Sequence, residues 1–194
     1  MIPGKDGSLP RDFRHNAEKG EAMSDTYITP EMRAAVGREY RWFTSYPIDA
    51  SDIRRWAIAV YYPEQAPPQY WDEEQARKTR WGGMVAPEEF NPFAWMSAEP
   101  RASLGVEAAR PWPELYLGVT PPETRANILA GLEVEHTKVR MRPGDVIRSA
   151  TTLAGYRERQ GRMGLMLFTT SEERWTNQHG ELVRTGRMTL IRYR

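Results

Sequence analysis

Cysteine is absent from all 194 residues, which excludes disulfides, thiolate metal sites and cysteine nucleophiles together. Histidine is nearly as scarce: the chain holds three, none at a two-ligand spacing, so no metal site is expected. Neither sign of charge is in excess, with 27 basic residues against 26 acidic ones, and this removes any electrostatic argument for nucleic acid or an anionic membrane as partner. No apolar run approaches the roughly 20 residues that span a bilayer, and the amino end lacks a signal-type apolar segment. These absences together lead to the expectation of a soluble cytoplasmic protein.

What is present is proline, aromatic residues and enough length for one core. At 194 residues a single well-buried domain is expected rather than two. Residues 1–27 carry Gly, Pro and charge with few large apolar groups and are expected to form a mobile tail, with Met23 offering an alternative start. The domain is then expected over residues 28–194. Thr29 followed by Pro30 and Glu31 predicts a capped helix running to about Gly37. Aromatic residues from Arg41 to Tyr46 predict a short strand, and Asp49 caps a second helix whose Ile53, Trp56, Ala57 and Val60 form one apolar stripe. Pro63, Pro67 and Pro68 end that helix in a loop, and Asp72 to Lys78, acidic first and basic last, predicts another short helix.

Met84 to Ala98, apolar apart from Glu88 and Glu89, is expected to be a buried helix limited or kinked by Pro92. A proline-rich connection follows from Glu99 to Pro122, pinned to the core by Trp112, Leu115 and Tyr116. The last third predicts four strands: Ile128 to Val139, Val146 to Tyr156, Arg162 to Thr176 and Glu181 to Tyr193, arranged as a meander. Helices first and strands afterwards argue for an α+β class, with a sheet wrapped about the helix that begins near Met84.

The stretch from Tyr61 to Phe93 resembles the active-site loop of the MaoC-like enoyl-thioester hydratases, in which a motif Asp-x-Asn-Pro-x-His precedes a Trp-Asp pair and then Gly-Gly. Aligning Trp71-Asp72 and Gly82-Gly83 on that pattern sets Gln65 at the aspartate, Pro67 at the asparagine and Tyr70 at the histidine, while Pro68 alone keeps its identity. The turn Arg142-Pro143-Gly144-Asp145 and the segments Gly161–Gly164 and Gln178–Arg192 also resemble the family, in particular its noncatalytic amino-terminal type of domain. The resemblance covers roughly residues 29–193. It implies a hot-dog fold, a curved antiparallel sheet wrapped around a long central helix, with two such folds joined edge to edge.

In catalytic relatives, the resemblance implies, an aspartate and a histidine move protons to and from an enoyl thioester. Gln65 cannot titrate, and Tyr70, with a reference pKa of about 10, is a poor base near neutral pH. The His-Gly step whose amides hold the thioester oxygen in relatives is Pro87-Glu88 here, and proline has no amide hydrogen. The expected role is therefore a noncatalytic, acyl-binding subunit acting on acyl-CoA or an acyl-carrier thioester, without a cofactor. Its partner is a catalytic MaoC-like chain or a second copy. Tyr61, Tyr62, Phe90, Phe93 and Trp95 are expected around the acyl group, and Gly82, Gly83, Arg140 and Arg142 near the thioester or coenzyme A. Two other enzymes stay open: a hot-dog thioesterase using Glu88 or Glu89, and a self-sufficient homodimeric hydratase. His136 and His179 are expected to be structural or solvated rather than catalytic.

Overall fold

The amino-terminal helix α1, Pro30–Ala35, begins where its cap predicts: the Thr29 hydroxyl accepts the Met32 amide at 3.2 Å, and Pro30 occupies the first turn, where a missing N–H costs nothing. It ends before Gly37, whose φ of +87° is cheap only for glycine. The computed structural model describes residues 26–94, 112–162 and 164–193. The expected tail lies outside the described residues except for Thr26 and Tyr27, both of which hydrogen bond to the Glu158 carboxylate.

Strand β1 is Glu39–Thr44, and helix α2 is Ala50–Tyr61 with the Asp49 carboxylate accepting the Ser51 amide at 2.7 Å. Ile53 and Ala57 are fully buried, but Val60 is 55% exposed, because the last turn of α2 overhangs the core it packs on. A single 3₁₀ turn at Pro68–Tyr70 leads into α3, Glu73–Arg77, capped by Asp72. The segment from Met84 to Ala94 is turns, not the expected helix. Its burial is as expected, with Met84, Val85, Ala86, Pro87, Phe90 and Pro92 all enclosed. Its backbone differs because Pro87 and Pro92 lack amide donors and Ala86 donates outward to the Met141 carbonyl at 2.8 Å. The rest of that expected helix, including Trp95, lies outside the described residues. Helix α4, Pro113–Tyr116, closes the proline-rich connection.

The sheet contains β1, β2 (Ala126–His136), β3 (Arg148–Gly161), β4 (Gly164–Thr176) and β5 (Leu182–Tyr193) in the order β1-β3-β4-β5-β2, every pair antiparallel. The expected four-strand meander is therefore three strands, β3 to β5. β2 lies beyond β5 instead of beside β3, because the connection after it is no hairpin: Gly144 donates to the Ile48 carbonyl and Ile48 to the Asp145 carbonyl, carrying the chain across to the β1 side. Strands β3 and β4 alternate buried and half-buried residues, as a sheet with one covered face requires.

The covered face carries two apolar groups. One joins Ile48, Ile53, Phe90, Ile147 and Trp175 under α2 and α3. The other joins Ile28, Met32, Ala35, Leu117, Leu153 and Leu167 under α1 and α4. The architecture is the α+β hot-dog arrangement of a curved antiparallel sheet with helices on one face. Its longest described helix is α2, and no described helix is long and apolar enough to cross a membrane.

Candidate functional site

Proline keeps the loop after α2 out of helix, and Trp71 ties it down: its indole N–H donates to the Ala66 carbonyl at 2.8 Å. That hydrogen bond fixes the loop that carries Gln65 and Tyr70. Gln65 is exposed, while Tyr70 turns inward against Tyr61 with ring centroids 6.1 Å apart. Tyr61 and Tyr70 line one side of a cleft of about 330 Å³; Val85, Ala86 and Pro87 line another, with Glu88, Glu89 and Arg140 nearby.

Arg140 organises the polar side of the cleft. One of its nitrogens donates to the Thr137 carbonyl at 3.0 Å, another engages Glu88, and its guanidinium carbon lies 5.2 Å from the centre of the Trp81 ring. Arg80 lies over the same ring at 4.4 Å. Arg142 donates to the Trp81 carbonyl at 2.8 Å. Trp81 is therefore held by three arginines, a role its sequence position beside Gly82-Gly83 had not revealed beyond a turn. The signal was the flanking Arg80, since guanidinium groups favour indole faces.

Burial pushes the Tyr70 phenol above its ordinary value; a hydrogen bond from Gln69 opposes this, and Tyr61 adds to the rise. A neutral phenol can donate a hydrogen bond but cannot serve as a base near neutral pH. Pro87 is buried at the cleft and supplies no amide hydrogen. As it stands, the cleft can orient a polar group but has no titrating pair at the loop positions of Gln65 and Tyr70.

Of the residues assigned from sequence, the structure brings Tyr61, Tyr70, Glu88, Glu89 and Arg140 together. Phe90 and Phe93 pack into the core instead, Phe90 edge-on to Trp56 at 5.8 Å and Phe93 edge-on to Trp175 at 5.0 Å. Tyr62 is 80% exposed and stands outside the cleft. Gly82, with φ of +64°, makes the turn, and Gly83 adjoins Arg142; none of these three lines the cleft. His136 ends β2 opposite Arg184, and His179 is exposed in the turn before β5. Among the described residues no three His, Asp or Glu gather to hold a metal.

A second polar cluster, not anticipated from sequence, lies beneath α4. Arg192 and Glu114, both with fully buried side chains, form a two-point ion pair, and Arg192 also donates to Thr169 at 2.9 Å. The Tyr156 hydroxyl donates to Glu114 at 2.8 Å, and the Trp112 ring lies 4.7 Å from the Arg192 guanidinium carbon. Burial, and then the Glu114 carboxylate, push the Tyr156 phenol far above its ordinary range.

Comparison with known proteins identifies the lineage. Residues 34–186 match the family described as FAS1-like, dehydratase domain region. A MaoC-like dehydratase from Rhodospirillum rubrum superposes with a TM-score of 0.50 at 23% identity, over 81% of this chain and 93% of that one. The ChsH1-ChsH2 complex from Mycobacterium tuberculosis gives 0.57 at 17% identity, over 84% and 87%. A monoamine oxidase regulatory protein from Archaeoglobus fulgius gives 0.51 at 18% identity, over 81% and 92%. No curated protein matches the sequence. At such identities the superpositions speak for the hot-dog fold, and the family match over most of the chain speaks for descent: the chain belongs to the FAS1-like dehydratase domain family.

Proposed function

We propose that this protein is the noncatalytic, acyl-binding half of an enoyl-thioester hydratase or dehydratase, and that a second hot-dog chain supplies the aspartate and histidine. One observation carries the reading. At the positions of the catalytic pair the chain holds an exposed Gln65 and a Tyr70 whose phenol is pushed above its ordinary value, so proton transfer at neutral pH has no agent there. The buried Pro87 supports the same conclusion, because it removes a donor where relatives hold the thioester oxygen. Acyl-CoA, or an acyl chain on a carrier protein, is the substrate class, and no cofactor is required for the chemistry. The half-buried rings of Tyr61 and Tyr70 offer the acyl chain its apolar contact in a cleft that is otherwise mostly polar, while Arg140 offers the thioester end a cation.

A partner is supported by the open edge of the sheet at β2, whose residues are exposed on both faces, and by the kinship in fold with a two-chain complex. The thioesterase alternative is weakened by Arg140, which engages Glu88 and leaves Glu89 as the remaining candidate on the cleft. Assaying the purified chain against enoyl-CoA substrates of several lengths tests the proposal. Negligible hydration alone, and activity on adding a hot-dog chain that retains Asp-x-Asn-Pro-x-His, is the expected result. Robust thioester hydrolysis by the lone chain, read as release of free coenzyme A and lost in Glu89→Ala, would replace it with the thioesterase reading, and robust hydration by the lone chain would replace it with a self-sufficient hydratase.

A further inference from the structure

β2 carries more than an unpaired edge. Ile128, Leu129, Leu132 and Val134 are between 38% and 63% exposed, and among the described residues β5 is the only strand beside them. Charge is arranged across this end of the sheet. Ser171 and Trp175 of β4 are buried on the helix side, so alternation puts Glu172 and Arg174 on the opposite face. From there two rows run to the edge: Glu172, Arg187, Glu133, and Arg174, Thr185, Glu135. These six residues line a groove of about 360 Å³. Arg187 pairs with Glu172; among the described residues neither Glu133 nor Glu135 lies within ion-pair distance of a cation, and both are attracted at longer range to that same, already engaged Arg187. Both rows therefore end at the open edge on a carboxylate that has no cation of its own.

We infer that this edge takes the strand of a different chain bearing Lys or Arg opposite Glu133 and Glu135, and that the same two carboxylates select against a second copy. The inference rests on the reading that this chain works with a partner subunit. In an antiparallel pair, residues that meet share a face, and self-pairing that overlaps Leu132 with Val134 has few registers. Setting Val134 against itself brings Glu133 against Glu135 twice. Setting Leu132 against Val134 brings Glu133 against Glu133. Setting Leu132 against itself avoids both, but lays Val134 on the irregular step between Leu129 and Gly131, where the ladder is broken. Like charges directly opposite destabilise a strand pair, whereas a basic partner strand extends each row with the complementary sign.

The charge-swapped chain, Glu133→Lys with Glu135→Lys, is itself a strand of the inferred chemistry and serves as the probe. Light scattering and native mass spectrometry would be run on the wild-type chain, the double variant and their equimolar mixture, with circular dichroism as the check on folding. The mixture should form a dimer on the order of tenfold tighter than either chain alone, since two repulsive pairs become attractive ones. Salt should weaken it. Should Glu133→Lys, which sets a second cation against Arg187, disturb the double variant, Glu135→Lys alone faces uncharged Thr185, and its self-pair in the Val134 register contains two opposite-charge pairs. It should dimerise more tightly than wild type. A wild-type dimer as tight as the mixture, or no association of mixture and Glu135→Lys alike, would overturn the inference. Hydration is not read in this experiment, so catalysis by the lone chain would sink the proposed function while leaving the edge result standing.

Discussion

At one end of the covered face Glu88 and Arg140 meet beside an open cleft, with side chains 44% and 17% exposed; at the other, Glu114 and Arg192 meet with none of either side chain exposed. The chemical pair is the same and the consequences are opposite. Water near the cleft solvates whichever partner is left behind, so the pair there is replaceable. Under α4 no solvent is available, and the pair instead fastens the proline-rich connection to β5.

The strongest way to break the comparison is to orphan the buried charge. Arg192→Ala should cost about 3–5 kcal/mol, because Glu114 is left enclosed without its cation. Urea unfolding measures it, and replacing both partners with apolar residues of similar size, as in Arg192→Met with Glu114→Leu, should recover most of the loss. A cost under about 1 kcal/mol for Arg192→Ala would mean that water reaches Glu114.

Phe90→Ala should destabilise by about 3–4 kcal/mol through lost transfer energy and a cavity beside Trp56. Its effect belongs to the core, so the variant should unfold as cooperatively as wild type, with a lower urea midpoint.

Tyr156 sharpens the contrast through pH. Its phenol titrates higher in the folded chain than in the unfolded one, so the neutral form is favoured by folding. That contribution is complete below the unfolded value of about 10 and declines as pH rises beyond it. Urea midpoints measured from neutral pH to about 11 should therefore fall at the alkaline end. Tyr156→Phe should flatten the fall and cost about 1.5–3 kcal/mol at neutral pH, the worth of a hydrogen bond to a carboxylate.

At the cleft end the smallest effect is expected. Glu88→Ala should change stability by no more than about 1 kcal/mol, since the pair is partly solvated. If thermal unfolding shows it to be as damaging as Arg192→Ala, the two ends are equivalent and the contrast fails.

How much was legible from sequence follows the range of the interactions. Thr29 and Asp49 announced their helices because a cap is a contact between residues two or three apart, and the helix at Asp72 was announced by its order of acidic and basic residues. The strands of the last third were likewise legible from the turns that bound them, Arg142-Pro143-Gly144-Asp145 and Asn177-Gln178-His179-Gly180. The helix expected from Met84 failed for a mixed reason. Apolar content reports burial correctly but says nothing of backbone direction, and Pro87 with Pro92 decided the conformation in favour of turns. Residue identity was enough to show that Gln65 and Tyr70 cannot form an acid-base pair. It was not enough to show Tyr62 at the surface or Phe90 committed to Trp56, because an aromatic side chain packs equally well around a ligand or around a neighbour.

What the chain determined alone was its local chemistry: capped helices, strands bounded by turns, and a hydratase-type loop without its titrating pair. Only the tertiary structure decided that β2 pairs with β5 rather than β3, that Trp81 gathers three arginines, and that Glu114 meets Arg192 across 78 positions of sequence. The physical reason is common to all three. A strand edge, an indole face and a charged group each accept many partners of the right type, and the fold chooses among them by which ones it excludes from water.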